Sequence, residues 1–389
     1  MTDRPYKLRL EGLEPARFLS RYWQKKPALY RQILPGFESP LSPEELAGLA
    51  CEPDVESRLV QGPPEGPWTL SQGPFSESRF ADLPERDWTL LVQDVDKHLP
   101  ALARILDSFD FLPRWRMDDL MISYAVNGGS VGPHVDAYDV FLLQARGTRR
   151  WAIDPEPADL SRRDDCELDV LRHFQAREEW LLEPGDMLYL PPGVAHFGLA
   201  GPDCMTFSVG LRAPDTAGMI SDFSEFVTQQ LPEGHRYADP DLELDEAGPR
   251  LHPKAIHRLR DLFSTLLERD NEELADWFGR FITEPKPWLR AEPDPGDGSH
   301  EALNQALAAG RTPELRSDIL AIWREGPDGR PHVFVDGDME VWDRGCEATL
   351  DHLLSRQPFP ADFDPGAVGR KLISVWLDKG RLEWTDEND

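Results

Sequence analysis

The sequence contains no long apolar run and few cysteines. No stretch approaches the roughly 18 uninterrupted apolar residues that a membrane-spanning helix needs. The first residues also lack the basic and apolar segments of a secretion signal, so we expect a cytoplasmic protein with no membrane partner. The 4 cysteines lie far apart without a C-x-x-C pair, which argues against a disulfide framework or a cysteine zinc cluster. Any bound metal must therefore be held by histidine and carboxylate side chains.

Positive charge is scarce. The 42 lysine and arginine residues are outnumbered by 71 aspartate and glutamate residues, which gives a formal net charge of -29. Such a chain repels phosphate backbones and attracts basic partners, so we expect no free nucleic acid as a ligand. The alternative is that the acidity serves only solubility or a salty habitat, because net charge does not identify a partner.

Helical patterns come first along the chain, and strands follow. Residues 13–34 and 92–108 have the apolar spacing of helices, and Ser42-Pro43-Glu44-Glu45 is a typical helix start with serine as N-cap. From residue 115 to 212 the pattern changes to short apolar runs separated by glycine, proline and aspartate, which indicates a sandwich or a barrel. The predicted strands are 120–126, 140–143, 150–153, 179–182, 187–190 and 205–210.

The remaining chain predicts two further parts. Helical segments cover 221–230, 253–267 and 271–282, and a proline-rich linker covers 285–298. The last part combines helical stretches at 314–323, 348–354 and 367–378 with a hairpin of strands 332–335 and 339–342 joined by Asp336-Gly337-Asp338. We therefore predict a mixed α and β chain with N-terminal helices and a barrel (1–212), a helical region (213–284), and a linker with a small winged-helix-like domain (285–389). Since this last domain is itself acid-rich, we interpret it as a docking module.

The first chemical motif is Gly132-Pro133-His134-Val135-Asp136. Alternate side chains of an extended strand lie on one face, so His134 and Asp136 point the same way and Val135 points opposite. Such an H-x-D pair occurs by chance in many chains of this length. It therefore indicates a metal site only together with a third ligand.

His196 is the candidate third ligand. It follows a Pro-Gly-Asp turn, an apolar strand and a Pro-Pro-Gly turn, which place it at the mouth of another strand. Two histidines and one carboxylate on one face of a metal are the facial triad of non-haem Fe(II) oxygenases. We predict His134, Asp136 and His196 as metal ligands and catalytic centre. Mixed nitrogen and oxygen ligands also suit Mn(II), Co(II), Ni(II) or Zn(II), so ligand type alone leaves the metal open.

Together these motifs resemble the JmjC-type cupin oxygenases that use 2-oxoglutarate. The resemblance implies a double-stranded β-helix barrel, Fe(II) on the three ligands above, and a reaction with O2 that decarboxylates 2-oxoglutarate to succinate and CO2. The distal carboxylate of 2-oxoglutarate needs a cation, which the JmjC pattern places on the strand after the first metal ligands. Matching that pattern selects Arg149, and alternation turns Arg150 away. The family also places a hydroxyl near that carboxylate, and Ser123 matches its position.

A more particular resemblance covers nearly the whole chain. It rests on Arg21-Tyr22-Trp23-Gln24-Lys25-Lys26-Pro27, on the stretch from Gly132 to Phe141, on the Pro-Pro-Gly-x-x-His stretch, and on the helical middle and small C-terminal domain. These features are similar to the bacterial ribosomal oxygenases. The resemblance implies hydroxylation of C3 of an arginine in large-subunit ribosomal protein sixteen, a helical dimerisation region, a C-terminal winged helix and a homodimer. A basic ribosomal protein also suits the acidic surface, which would steer its approach.

An arginine substrate predicts particular pocket residues. A guanidinium wants a carboxylate partner and a flat aromatic or thioether wall. Asp118 and Asp119 precede Ser123 on one predicted strand with Met121 between them, and Tyr138 shares parity with His134 and Asp136. We predict Asp118 or Asp119 with Tyr138 as the substrate clamp, beside Met121. On the strand after His196, Ser208 is a further candidate for the pocket lining.

Three other classes stay open, because the triad defines an activity class more firmly than a substrate. The first class comprises two other enzymes of the same family, a hydroxylase of a histidine in another ribosomal protein and a demethylase of histone lysines. A non-enzymatic regulator built on a vestigial cupin and the winged-helix-like domain is the second class, although it has no need for the triad and Arg149 together. A zinc or nickel sugar-isomerase-like cupin is the third, and it does not require Arg149.

Overall fold

The computed structural model describes residues 9–212, 214–286, 298–356, 359–360 and 363–384. Most of the predicted linker at 285–298 lies outside these residues. The chain packs into two compact units. The first unit comprises Met1–Ala213, Lys286–Ile319 and Ala348–Asp389, and the second comprises Pro214–Pro285 and Leu320–Glu347. Within the described ranges, every helix is too short or too polar to cross a membrane.

Helices and strands are numbered in chain order. The helices are α1 Pro15–Arg21, α2 Pro43–Leu49, α3 Glu77–Ala81, α4 Val95–His98, α5 Pro100–Leu106, α6 Thr216–Gln229, α7 Pro253–Leu267, α8 Asn271–Thr283, α9 His300–Ala308, α10 Glu347–Leu354 and α11 Gly366–Asp378. The strands are β1 Ala28–Tyr30, β2 Ser57–Gln61, β3 Thr69–Gln72, β4 Trp88–Val92, β5 Met117–Ala125, β6 His134–Val135, β7 Val140–Arg146, β8 Arg149–Asp154, β9 Glu178–Leu182, β10 Met187–Leu190, β11 Ala195–Ala200, β12 Cys204–Leu211, β13 Pro313–Leu315, β14 Ala321–Glu325, β15 Pro331–Val335, β16 Asp338–Val341 and β17 Leu382–Trp384.

Two antiparallel sheets form the body of the first unit. One has eight strands in the order β1-β10-β7-β12-β5-β4-β2-β3, and the other has four in the order β6-β11-β8-β9. Apolar side chains on one face of the larger sheet, among them Phe141 and Phe207, pack with Phe18 of α1 in the main core. A second cluster, which includes Trp151 and Leu188, joins side chains of both sheets. The two sheets thus enclose a cavity between them, and the main core covers the opposite face of the larger sheet.

All six predicted strands of the barrel region are present, with bounds that differ by a few residues. The prediction of one helix over 13–34 is wrong in its second half. Helix α1 ends at Arg21, and Ala28–Tyr30 forms β1, which pairs with β10. Pro27 explains the change, because proline cannot donate a helical hydrogen bond and turns the preceding residue away from helical geometry.

Two other predicted helices need correction. The segment 92–108 begins as the end of β4 and then forms two short helices that meet at Pro100, since proline cannot continue α4. The segment 314–323 is not helical, because β13 pairs with β17 and β14 pairs with β15. Tertiary pairing there overrides local helix propensity. The helix start at Ser42 is confirmed, with a reciprocal capping box between Ser42 and Glu45.

The second unit consists of α6, α7, α8 and the three-stranded sheet β14-β15-β16. Its three helices match the predicted segments within a few residues. The predicted hairpin is present, with Asp336 and Gly337 at positive φ in its two-residue loop. Gly279 of α8 lies against Phe334, where an added Cβ would come within 2.5 Å of the ring. The division at 213, 284 and 285, with its winged-helix label, stays a prediction.

Candidate active site

Pairing of β6 with β11 sets His134 directly opposite His196. Each imidazole uses Nδ1 toward a backbone carbonyl, His134 to Gly132 and His196 to Val194, both at 3.0 Å. The Nε2 atoms therefore face inward, 4.0 Å and 3.5 Å from the carboxylate oxygens of Asp136. The ligand atoms of the three residues all lie within 4.8 Å of one another. This is the arrangement of two imidazoles and one carboxylate that a single metal ion requires.

Turns around these residues explain why the sequence folds this way. Gly132 has φ +79°, and a Cβ there would lie 2.6 Å from Val170, so the residue two before His134 must be glycine. The Pro-Pro-Gly turn is tied to the same place, because the N–H of Gly193 donates to the carbonyl of Asp136 at 3.0 Å. The two motifs that were far apart in sequence are thus joined by backbone as well as by side chains.

His196 is deeply buried, with 3% of its surface exposed. Burial and the neighbouring imidazole of His134 lower the pKa of His196 to about 4, although Asp136 acts in the opposite direction. At neutral pH this imidazole is uncharged, which leaves its Nε2 lone pair available as a ligand.

A cavity of about 540 Å³ opens on these three side chains. Every site residue predicted from the sequence lines it. They are Asp118, Asp119, Met121, Ser123, His134, Asp136, Tyr138, Arg149, His196 and Ser208. The structure therefore brings together all ten residues, which the sequence spreads over five strands and one loop.

Arg149 lies deep in this cavity, 4% exposed. Its guanidinium stacks near Trp151, with Cζ 5.6 Å from the ring centroid, and its Nε is 3.5 Å from the sulfur of Cys204. Within the described residues its Nη2 has no hydrogen-bond partner, nor does the buried Nε1 of Trp151. A buried cation with an unpartnered N–H is costly unless an anion binds there. The residues thus fit a ligand carboxylate at this end of the cavity.

Strand β5 supplies one wall of the cavity. Asp119, Met121 and Ser123 alternate along it and point inward, as expected for a strand. Asp118 also reaches the cavity because the β5–β12 register shifts: Gly210 pairs with Asp119, whereas Leu211 pairs with Met117. Asp118 is therefore the extra residue of a β-bulge, and both carboxylates lie at the same end.

That acidic end contains two residues that sequence reasoning missed. Lys286 Nζ lies 2.8 Å from Asp94 Oδ1 and 3.1 Å from Asp118 Oδ1. Burial lowers the pKa of Lys286, but Asp118, Asp94 and Asp119 outweigh it and hold the pKa above its ordinary value. Burial, and then Asp94, raises the pKa of Asp119 to about 7. The two predicted clamp residues therefore differ: Asp118 lies beside the ammonium of Lys286, whereas the raised pKa of Asp119 leaves that carboxyl partly protonated near neutral pH.

The missed residues had little local signal. Lys286 follows α8 at the start of the proline-rich segment, where no pattern predicts a contact with the barrel. Asp94 lies between β4 and α4 in the left-handed region, with φ 51°. A positive-φ aspartate in a turn is ordinary, so only the fold reveals that it faces the cavity.

The motif near the chain start also reaches the site. Asp139 is fully buried and accepts hydrogen bonds from Tyr189 Oη at 2.5 Å, Gln24 Nε2 at 2.9 Å and Arg116 Nη2 at 2.9 Å. The backbone N–H of Gln24 donates in turn to Tyr189 Oη at 2.8 Å. This buried network fixes the chain just after Asp136 and Tyr138, so the N-terminal motif supports the cavity wall from behind.

Residues 104–219 match the family model described as JmjC domain. The ribosomal protein uL16 3-hydroxylase of Escherichia coli K12 is 40% identical over 353 residues, which is 89% of this chain and 90% of that protein. A probable ribosomal oxygenase of Haemophilus influenzae is 40% identical over 240 residues, 61% of this chain and 57% of that protein.

Solved structures give the same picture. The X-ray structure of E. coli ycfD superposes with a TM-score of 0.84 at 34% identity and covers 96% of this chain and 99% of that one. The structure of the ribosomal oxygenase YcfD in complex with cobalt and 2-oxoglutarate superposes with a TM-score of 0.81 and the same coverage. The fold and nearly the full length are thus shared with these proteins.

Proposed function

The chain belongs to the ribosomal oxygenases of the JmjC family, and from this we propose that it is an Fe(II)- and 2-oxoglutarate-dependent hydroxylase of an arginine in a basic large-subunit ribosomal protein. Membership confirms the predicted double-stranded β-helix barrel and the enzyme class. For the substrate we propose C3 of an arginine of uL16, the protein named in the E. coli relative. Four features of the cavity support this assignment.

The first is the metal site. His134, Asp136 and His196 offer two imidazole nitrogens and a carboxylate, and the hydrogen bonds of both Nδ1 atoms orient the rings toward one point. We assign the three residues as Fe(II) ligands. When bound, iron with O2 and 2-oxoglutarate supplies the oxidising power for C–H hydroxylation. The chain supplies the orientation of the ligands and a buried environment that limits access of water.

The second is the cosubstrate site. Arg149 has a buried Nη2 without a partner among the described residues, and it lines the cavity together with Ser123. We assign Arg149 as the cation for the distal carboxylate of 2-oxoglutarate and Ser123 as the neighbouring hydroxyl donor. The match with a relative crystallised with cobalt and 2-oxoglutarate supports the same choice.

The third is the substrate clamp. We assign Asp118 as the main partner of the substrate guanidinium, because its carboxylate is 34% exposed and already lies beside a cation, whereas the pKa of Asp119 is raised to about 7. Tyr138 supplies a flat contact and Met121 a thioether contact. Ser208 of β12 pairs with Met121 of β5. These residues hold the side chain so that one carbon faces the metal.

The fourth is charge. A net charge of -29 favours a basic protein and opposes free nucleic acid as partner. We propose a cytoplasmic enzyme, because the proposed substrate is a ribosomal protein. We retain the C-terminal part as a docking module with a winged-helix-like character. The observation that carries the whole proposal is the cavity itself, where a metal triad, a carboxylate clamp and a buried guanidinium lie together, and Nη2 of that guanidinium has no partner among the described residues.

The test is mass spectrometry of ribosomal proteins from the native organism with and without this gene. We expect loss of one oxygen mass from a single arginine of uL16 in the deletion strain. The wild-type gene restores the oxygen, and the His134→Ala variant does not. Purified enzyme with Fe(II), 2-oxoglutarate and a peptide around that arginine should form succinate and hydroxyarginine in equal amounts.

Other results have definite meanings. If the oxygen disappears from a histidine of another ribosomal protein, the enzyme class stands and the arginine assignment is wrong. If no ribosomal protein changes mass and 2-oxoglutarate is not consumed, the non-enzymatic alternative replaces the proposal.

We also propose that the protein is a homodimer through its helical region. Helix α7 exposes Ile256, Leu259, Phe263 and Leu267, which are spaced three or four residues apart and form one apolar stripe. A stripe of large apolar side chains is unusual on an uncovered surface, and a second copy would cover it symmetrically. Light scattering of the full-length protein should give a dimer mass, and Phe263→Asp should give a monomer mass.

A further inference from the structure

The acidic end of the cavity already contains a cation of the chain itself. Lys286 Nζ lies within 3.1 Å of both Asp94 Oδ1 and Asp118 Oδ1, and Lys286 lines the same cavity as the metal triad. Asp118 is the carboxylate assigned above to the substrate guanidinium. Lys286 and the substrate arginine would thus both bind the carboxylate of Asp118.

We propose that Lys286 is an internal competitor of the substrate arginine and sets the affinity of the acidic subsite. This rests on the proposed function. In the structure described here, its ammonium bridges Asp94 and Asp118, and a substrate guanidinium takes over Asp118 when it binds. Lys286 then keeps Asp94, so that neither carboxylate becomes an unpaired buried charge.

The exchange favours arginine for a chemical reason. A guanidinium is planar and can bind a carboxylate through two parallel N–H bonds, whereas an ammonium is a point charge with a strong hydration shell. A substrate cation that displaces Lys286 must therefore bind Asp118 better than an ammonium does. A substrate lysine only replaces one ammonium with another, and since the cost of displacing Lys286 is the same for both substrates, the preference for arginine comes from its second N–H bond.

The chain offers a matched control. Lys97 belongs to the same group of charges, pairs with Asp96 and donates to the carbonyl of Asp118 at 3.0 Å. It does not line the cavity. Its contact with Asp118 is to the backbone carbonyl and not to the carboxylate, so a change at Lys97 removes the same charge and leaves the ion pair of Lys286 with Asp118 in place.

The test is a series of three proteins, wild type, Lys286→Met and Lys286→Arg, in the full-length enzyme. Methionine keeps an apolar stem without the charge, and arginine is a stronger occupant of Asp118. We expect the KM for a basic uL16 peptide to fall roughly tenfold in Lys286→Met and to rise in Lys286→Arg. Calorimetric Kd values for the same peptide should follow the same order, and Lys97→Met should change both values far less than Lys286→Met does. A peptide with lysine in place of the target arginine should gain affinity from Lys286→Met by the same factor as the arginine peptide, because both must displace the same ion pair.

A counter-ion that merely positions Asp118 gives the reverse order: Lys286→Met then raises KM and Kd, and Lys286→Arg rescues them. That result, or equal values across the series, overturns the inference while the wild-type turnover still supports the proposed function. If the Kd values of the three proteins follow the expected order but wild type leaves the arginine of the peptide unmodified, the competitor role stands and the proposed reaction fails. Absence of any peptide binding by the three proteins overturns both.

Discussion

The two ends of the cavity treat charge in opposite ways. At the deep end Arg149 is buried, and among the described residues its Nη2 has no partner. At the acidic end each main carboxylate has a partner from the chain: Asp118 and Asp94 contact Lys286, and Asp119 accepts from the backbone N–H of Asp94. A buried charged group with an unpartnered N–H indicates a ligand that supplies the missing partner. A charged group that already has a partner indicates a ligand that must displace that partner. Affinity should accordingly depend strongly on the deep end and more weakly on the acidic end.

The largest expected effect comes from the deep end. Arg149→Ala removes the only assigned cation for 2-oxoglutarate, so the KM for 2-oxoglutarate should rise by about a hundredfold or more. Arg150→Ala is the control, because Arg150 is exposed on the same strand and pairs with Glu179. Succinate formation at varied 2-oxoglutarate concentration measures both. An unchanged KM in Arg149→Ala would contradict the assigned role of Arg149 and favour the isomerase-like cupin.

The next effect belongs to the acidic end. Asp118→Asn should raise the KM for the peptide roughly tenfold and leave the KM for 2-oxoglutarate near its wild-type value. The effect is smaller than at Arg149 because Asp118 is partly exposed and already shared with Lys286. Asp203→Asn, which alters an exposed pair with Arg146, is the matched control. A larger effect at Asp119→Asn than at Asp118→Asn would show that the clamp was assigned to the wrong carboxylate.

Asp119, at the acidic end, should make the free energy of unfolding depend on pH. Its pKa is about 7 in the folded protein and near 3.8 when unfolded, so the folded state holds the extra proton and the free energy of unfolding falls as pH rises from about 4 to 7. Asp119→Asn removes this loss and should stabilise the protein by on the order of 2 kcal/mol at pH 8. Near pH 4 the two proteins should differ little. Urea unfolding at both pH values measures this, and a gain of equal size at both would contradict it.

The smallest expected effect tests the second unpartnered donor. Trp151→Phe keeps an aromatic ring beside Arg149 but removes the Nε1–H, which has no partner in the described part of the chain. If the bound anion accepts from this N–H as well as from Arg149, the KM for 2-oxoglutarate should rise roughly threefold. An unchanged KM restricts the anion site to Arg149 and Ser123.

The deep end could be predicted from the sequence, and the acidic end only in part. His134, Asp136, Arg149 and His196 lie on strands with clear alternation and turn residues, so their faces follow from parity. Asp118 breaks parity through a bulge that no pattern marks, which is why the choice between Asp118 and Asp119 stayed open. Lys286 is 150 residues from Asp136 in a proline-rich stretch, and only tertiary packing brings it to the cavity. The wrong helices at 13–34 and 314–323 failed for the same reason, since strand pairing decided them.

The position of Lys286 in the chain also has a consequence in time. Synthesis proceeds from the N-terminus at roughly 5 to 20 residues per second, and 90 residues separate His196 from Lys286. A nascent barrel therefore has its metal ligands and its aspartates for roughly 5 to 20 seconds before the internal lysine emerges. During that interval Asp94 and Asp118 lack the ammonium of Lys286, which is synthesised after residues 214–285 of the second unit and before residues 320–347.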